Sequence, residues 1–241
     1  MKRLLLTAFA VLLGILLCVQ TSQAATITLF EDTFSNTTID TTKWTEDIAG
    51  GSVLIENYTA KFYIQKGRAY LQSNPFSINE WDRIDFSGQW AIPSAITPEY
   101  DIFVYNADDT SEYLRVTYRS WDGPNLWLRD AGDSINTTKY YETRTPPSTL
   151  TDFSLWFTGT TWGYTEGPFS QSFASTTLAD AENFYIKIGG WDASNTANQI
   201  VYFDNITVTA EAAAAPLPPA ALLLCTGLCC LVLVRRKRMR V

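Results

Sequence analysis

Short segments in which apolar and polar residues alternate recur along the middle of this 241-residue chain. In Tyr113–Tyr118, for example, Leu114 and Val116 would face one way and Arg115 and Thr117 the other. β-Branched and aromatic residues dominate these segments, and Gly, Pro, Asn and Asp separate them. Many short strands at regular spacing predict an all-β fold, an antiparallel β-sandwich or barrel, with little helix.

The predicted strands lie in a region that runs from residue 25 to residue 209, which we treat as one ectodomain. A region of this length suits a single domain with a sizeable core. The segments with the alternating pattern are Thr26–Glu31, Ser52–Ile55, Lys61–Ile64, Ala69–Gln72, Ile84–Ala91, Asp101–Tyr105, Tyr113–Tyr118, Leu126–Arg129, Phe153–Thr158, Phe184–Ile188 and Ile200–Thr209.

The first 24 residues have the three parts of a secretory signal peptide. Lys2 and Arg3 precede an apolar run, Leu4–Val19, and small residues at Ser22 and Ala24 form a cleavage site. We therefore predict a signal peptide over residues 1–24. The alternative is a retained membrane anchor, for which the run is short, because a span needs ~20 apolar residues.

The C-terminal end, residues 216–241, also has three parts. After a linker at 210–215 come a proline motif, an apolar run of 15 residues, Ala220–Val234, and a basic cluster. A helix of that length covers ~22 Å, less than a ~30 Å hydrocarbon core, so we predict a short transmembrane helix whose basic end stays in the cytoplasm. The motif is Pro216, Leu217 and Pro218, and the basic cluster is Arg235, Arg236, Lys237 and Arg238.

This order of parts resembles a PEP-CTERM sorting signal in its proline-leucine-proline variant. The resemblance implies that an exosortase, a membrane transpeptidase, cuts near the proline motif and processes the protein. It also implies an exported protein of the cell surface or extracellular matrix, anchored at least transiently in the inner membrane by its C-terminal helix. A plain C-terminal membrane anchor is the alternative.

Composition narrows the chemistry of the ectodomain. The chain has no histidine, and its four cysteines lie in the two terminal segments. This excludes histidine-dependent triads, His-ligated zinc, disulfides and thiol chemistry in the ectodomain. All 25 acidic residues lie between residues 31 and 211, where they exceed the basic residues by 14. Such an excess argues against nucleic acid as a partner and suits divalent cations and neutral glycans.

The two edges of the ectodomain carry a second resemblance, to the concanavalin A-like jelly roll of lectin, laminin-G-type and glucanase domains. That family opens with Asp-x-Phe and Leu/Ile-Asp-x-x-x-Trp segments and closes with a Phe-Asp-Asn-Ile-x-Val strand. The matching positions here are Asp32, Phe34, Ile39, Asp40, Trp44, Phe203, Asp204, Asn205, Ile206 and Val208. The resemblance implies that the first and last strands are neighbours.

The same resemblance implies a structural calcium ion near the paired edges. Calcium takes its ligands from carboxylates and backbone carbonyls. We predict a site made by Asp204 with Glu31 or Asp32 and a carbonyl near Gly51. The alternative is that these acidic residues cap turns or face solvent.

The glucanases of this family use Glu-x-Asp-x-x-Glu on one strand, one Glu as nucleophile and the other as acid/base. Here Glu99 and Asp101 match the first two positions, but Val104 stands where the acid/base would be. Valine cannot deliver a proton. This substitution predicts that the ectodomain is not an enzyme.

Aromatic residues in predicted turns suggest binding instead. Trp121 and Asp122 lie beside Gly123, and Trp162 and Tyr164 flank a glycine. An aromatic ring in a loop can offer a flat face to a sugar, with a carboxylate accepting its hydroxyls. The alternative is that these rings fold over the rim of the sandwich.

Together these observations predict an exported, non-catalytic surface or matrix protein that binds polysaccharide, with the cell's own exopolysaccharide as the candidate ligand. A structural or adhesive matrix protein without a defined ligand is the first alternative. A glycoside hydrolase is the second.

Overall fold

The computed structural model describes residues 25–78, 81–93, 99–119, 123–132, 135–192 and 199–212. No stretch within these ranges forms a helix that could cross a membrane. The predicted signal peptide and sorting signal lie outside the described residues. The strands are β1 Thr26–Asp32, β2 Trp44–Glu56, β3 Thr59–Ser73, β4 Phe76–Ser77, β5 Trp81–Ala91, β6 Glu99–Asn106, β7 Tyr113–Arg119, β8 Asn125–Gly132, β9 Ile135–Thr143, β10 Thr151–Phe157, β11 Thr161–Glu166, β12 Phe169–Ala174, β13 Asn183–Asp192 and β14 Gln199–Ala212.

All neighbouring strands pair antiparallel, in the order β12-β11-β10-β5-β14-β3-β13-β6-β7-β8-β9, with β1 on β14, β2 on β3 and β4 on β13. The sheet curls so that strands distant in this order face each other as two layers. Trp90 of β5 and Tyr118 of β7 are far apart in this order, yet their ring centroids lie 5.4 Å apart. The prediction of an all-β antiparallel sandwich is therefore confirmed.

The long strands β2 and β3 turn the corner between the two layers. Their pairing shifts between Ala49 and Gly51, and Gly50 and Gly67 have positive φ, 93° and 144°. A Cβ on Gly67 would lie 1.6 Å from the carbonyl oxygen of Ala49. Only glycine permits so close a backbone approach, and such bends let one strand serve both sheets.

The opening motif of the ectodomain, Asp32-x-Phe34, packs against Trp44. Asp32 accepts the backbone N–H of Phe34 at 2.8 Å on one carboxylate oxygen and the indole N–H of Trp44 at 2.7 Å on the other. The rings of Phe34 and Trp44 stack with centroids 6.0 Å apart. Strand β1 pairs with β14, with Asp32 opposite Ile206, so the first and last strands are neighbours, as predicted.

Alternation along β6 separates the core from an outer polar surface. Tyr100, Ile102 and Val104 are buried in the core cluster, so Glu99 and Asp101 project to the opposite side. The same side of the neighbouring strands carries most of the charge of this layer. We call this surface the Glu99 face: Asp47, Arg68, Tyr70, Glu99, Asp101, Phe103, Tyr105, Tyr113, Arg115, Thr117, Arg119, Trp127, Arg129, Tyr185 and Lys187.

Candidate functional site

Two strands bring the charges of the Glu99 face together. Glu99 of β6 lies opposite Arg119 of β7, and Asp101 lies opposite Thr117. Neither the pairing of β6 with β7 nor that of β6 with β13 contains a register shift. Because the strand is regular, its odd-numbered residues all reach this face.

Arg115 of β7 holds both carboxylates of β6. Its Nη2 lies 2.6 Å from Oε2 of Glu99 and 2.8 Å from Oδ1 of Asp101. One guanidinium nitrogen therefore holds the two carboxylates next to each other on the Glu99 face. Because Asp101 is fully buried, this pair is not a nucleophile and an acid/base that flank a substrate bond.

Asp101 is sealed beneath its neighbours. It is fully buried, and it accepts hydrogen bonds from the Tyr70 hydroxyl at 2.6 Å and the Thr117 hydroxyl at 2.8 Å. Burial, and then the charge of Asp101, raise the pKa of Tyr70 well above its usual value, so this hydroxyl stays protonated and donates. Asp101 therefore orients Arg115 and cannot touch a substrate itself.

Glu99 lies nearer the surface. It is 8% exposed, and Arg119 Nε lies 2.9 Å from its Oε1. Two arginines thus orient its carboxylate from two sides. The other acid of the face, Asp47, is tied to Lys187 at 2.8 Å and Arg68 at 2.5 Å. Burial opposes the effect, but these hydrogen bonds lower the pKa of Asp47, which makes it a weak base.

An aromatic cluster stands where a third carboxyl would be expected. In a regular strand the third position falls on Phe103, whose ring stacks on that of Tyr105 at 5.1 Å, while Val104 points into the core. Tyr105 stacks in turn on Tyr185 at 4.8 Å. The sequence-based observation that no acid/base occupies this place therefore holds in three dimensions.

A tryptophan contacts the arginine that lies opposite Glu99. Trp127 of β8 has the guanidinium of Arg119 4.4 Å from its ring centroid and that of Arg129 at 5.3 Å. Tyr141 meets the same indole edge to face at 5.0 Å. Cations over an indole face are favourable, so this ring is held in place next to Arg119, the arginine that contacts Glu99.

The predicted sugar-binding residues do not form a surface site. Trp162 and Tyr164 lie in β11, not in a turn, and both side chains are buried, which corrects their prediction as an exposed platform. Gly163 between them had suggested a turn. It is required because a Cβ there would lie 2.5 Å from the Trp156 ring. Trp121 and Asp122 lie outside the described residues.

The predicted calcium ligands do not converge. Both carboxylate oxygens of Asp32 already accept N–H groups, and Gly51 aligns through Ile64 with Gln199, five residues and about 17 Å along β14 from Asp204. Glu31 is exposed, and its carbonyl accepts the Lys43 ammonium. No group of three or more acidic side chains within the described ranges could hold a metal ion. The four residues thus do not fit a shared calcium, and calcium binding by the chain stays a prediction.

No protein-family model matches the chain, and no curated protein sequence matches it. Solved structures do match. An endo-β-1,3-glucanase from Pyrococcus furiosus has a TM-score of 0.62 at 10% identity, over 79% of this chain and 96% of that chain. The chain has the fold of these hydrolases. A non-specific endo-β-1,3(4)-glucanase of family GH16 gives 0.60 at 12% identity, over 77% and 91%.

A third match is an endo-β-galactosidase from Clostridium perfringens that releases GlcNAcα1-4Gal. Its TM-score is 0.58 at 9% identity, over 76% of this chain and 62% of that chain. These comparisons overturn the prediction of a non-catalytic binding protein, because these three solved structures, which share the fold over more than three quarters of the chain, are endo-glycosidases. The glycoside hydrolase alternative agrees with them better. The inference from Val104 that the chain is not an enzyme was wrong for the same reason.

Proposed function

We propose that the ectodomain is a glycoside hydrolase that acts on a β-linked polysaccharide, with Glu99 as the nucleophile. The observation that carries the proposal is the placement of Glu99. It lies on the outer side of a regular central strand, with its carboxylate oriented by Arg115 and Arg119 at 2.6 and 2.9 Å. The family resemblance of the Glu99-x-Asp101 segment and the fold shared with endo-glucanases support the assignment.

The resemblance of Glu99-x-Asp101 to the nucleophile end of the glucanase motif favours a retaining displacement. A carboxylate oxygen of Glu99 attacks the anomeric carbon, the bond to the leaving oxygen breaks, and a covalent glycosyl ester forms. Water then releases the sugar from Glu99. Asp101 stays buried and holds Arg115, so the attacking carboxylate keeps its orientation through both steps.

The leaving oxygen has no carboxylic acid beside it among the described residues. Phe103 occupies the place that the strand offers, and Asp101 is covered by Tyr70 and Thr117. No carboxylic acid in the described part of the chain is thus placed to supply the proton of the leaving group, and in this proposal that proton comes from solvent. General acid catalysis typically increases a rate ~10²–10⁴-fold. Without it, the rate should depend strongly on the stability of the leaving group as an anion.

This dependence gives the test of the proposal. The purified full chain should hydrolyse a dinitrophenyl β-glycoside ~10²–10⁴ times faster than the corresponding alkyl glycoside, because only the first needs no proton. Laminarin and mixed-linkage glucan should be cut slowly. NMR of the first product should show retained anomeric configuration. Failure to cleave any activated β-glucoside or β-galactoside, or an inverted product, would contradict the proposal.

We also propose that the protein is exported, held by its C-terminal helix, and processed by an exosortase, with an extracellular polysaccharide as substrate. The terminal sequences described above support this. Mass spectrometry of the mature protein should find an N-terminus at Ala25 and a C-terminus near Pro216. An intact C-terminal helix with its basic cluster would instead favour the plain anchor.

A further inference from the structure

The charge of the Glu99 face differs from that of the whole chain. The chain has a formal net charge of −7 at pH 7. Among its described residues, this face carries five cations, Arg68, Arg115, Arg119, Arg129 and Lys187, against three acids, Asp47, Glu99 and Asp101. An acidic protein has thus gathered an excess of positive charge on the surface that carries its proposed nucleophile.

Pairing the charges leaves one cation over. Lys187 and Arg68 share Asp47, Arg115 bridges the two acids of β6, and Arg119 lies on Glu99. Arg129 makes no ion pair with any residue in the described ranges. Its Nε is buried and finds no hydrogen-bond acceptor there.

The surroundings of Arg129 make an unpaired state costly. Its cross-strand neighbour on β7 is Arg115, and like charges directly opposite each other repel. Burial, and then repulsion from Arg115, lower the pKa of the Arg129 guanidinium. A buried donor without an acceptor adds a desolvation penalty. An anion at this position would relieve all three effects.

A second unsatisfied donor lies beside it. The indole Nε1 of Trp127 is also buried without an acceptor in the described part of the chain, and the ring lies 5.3 Å from the Arg129 guanidinium. Arg119, 4.4 Å from the same ring, bonds Glu99. The Trp127 ring therefore contacts both Arg129 and the arginine that contacts the proposed nucleophile. A ligand that satisfies them must present acceptor oxygens, and a negative charge would match the guanidinium groups.

We propose that Arg129, Trp127 and Arg119 form a subsite for an anionic substituent, a carboxylate or sulfate, on a sugar of an acidic polysaccharide. The proposal rests on the proposed function only for the position of this sugar next to the reacting unit. The acidic composition had suggested neutral glycans. Composition gives only the net charge of the chain, however, and does not show that the Glu99 face has an excess of positive charge. Arginine matches carboxylate and sulfate oxygens through its forked donors, and the indole supplies a flat wall for the ring.

Affinity electrophoresis of the full chain tests this with one β-1,3-glucan in three forms: neutral, oxidised at C6 to the uronate, and sulfated. The protein is acidic, so bulk charge repels polyanions and cannot cause retention. We expect one or both anionic forms to bind at least about tenfold more tightly than the neutral form, as expected for charge-assisted hydrogen bonds. The form that binds better identifies the substituent.

Arg129→Gln should remove about tenfold of the affinity for the anionic form and leave affinity for the neutral glucan unchanged. Arg129→Lys, which keeps the charge, should retain a large part of the preference. Arg68→Gln is the matched control, because it removes an arginine from the same face while Lys187 still pairs with Asp47. It should leave the preference intact.

Equal binding of all three forms by the wild type would overturn the subsite, as would an anionic preference that survives in Arg129→Gln. The hydrolase assay separates the two proposals. Hydrolysis of an activated glycoside without any anionic preference contradicts the subsite alone. An anionic preference that depends on Arg129 in a chain that hydrolyses nothing contradicts the proposed function alone.

Discussion

Glu99→Gln should lower hydrolysis of a dinitrophenyl β-glycoside by at least about 10³-fold, because a carboxamide cannot form the glycosyl ester on which the reaction depends. The substitution keeps the size of the side chain and one acceptor for Arg115. The circular dichroism spectrum and the unfolding midpoint should therefore stay close to those of the wild type. Initial rates over a range of glycoside concentrations would show the loss in kcat.

A matched control and a rescue sharpen this result. Asp47→Asn alters an acid of the same face that bonds Lys187 and Arg68, and it should keep most of the activity. In Glu99→Ala, added azide should restore part of the rate and give a glycosyl azide of inverted configuration, since azide then attacks from the side that Glu99 occupied. Retention of more than a tenth of the rate in Glu99→Gln would contradict the assignment of the nucleophile.

Glu166→Leu should lower the free energy of unfolding by at least about 3 kcal/mol. Glu166 is 2% exposed, and it accepts the indole N–H of Trp90 at 2.8 Å and the hydroxyls of Tyr118 at 2.7 Å and Tyr164 at 3.0 Å. Arg144 approaches the same carboxylate at 3.2 Å. Each buried donor left without an acceptor costs about 1–3 kcal/mol, and three would lose theirs.

This carboxylate also joins the two layers, because Trp90 lies on β5 and Tyr118 on β7. Urea unfolding followed by tryptophan fluorescence measures the effect. Glu56→Gln is the control: Glu56 is an exposed partner of Lys61, and its removal should change stability by less than about 1 kcal/mol. A Glu166→Leu protein as stable as this control would show that the network contributes nothing to holding the layers together.

Local patterns predicted the strands near the site well. Alternation in Tyr113–Tyr118 correctly put Arg115 and Thr117 on the side away from Leu114 and Val116. It also placed Asp101 at the start of a strand, Asp101–Tyr105, although the observed strand begins two residues earlier, at Glu99. Side-chain direction in a strand follows from the backbone of neighbouring residues, so a few residues suffice to predict it.

Predictions failed where a residue makes its main contacts with a part of the chain that its local sequence does not include. Gly163 looked like a turn signal, but it makes room for the Trp156 ring of the adjacent strand, so Trp162 and Tyr164 became core residues. Asp32 looked like a metal ligand. Its oxygens are instead used by Phe34 and by the Trp44 indole, twelve residues along the chain.

The sequence by itself determined the all-β class, the alternation that separates Arg115 and Thr117 from the core, and the exclusion of histidine and cysteine chemistry from the ectodomain. These properties depend on residue type and on near neighbours. Only the tertiary structure decided that Asp101 is sealed, that Phe103 occupies the place of an acid, and that Arg129 lacks an ionic partner among the described residues. Those outcomes depend on the register of strands far apart in the chain, which sets the groups that each charge meets.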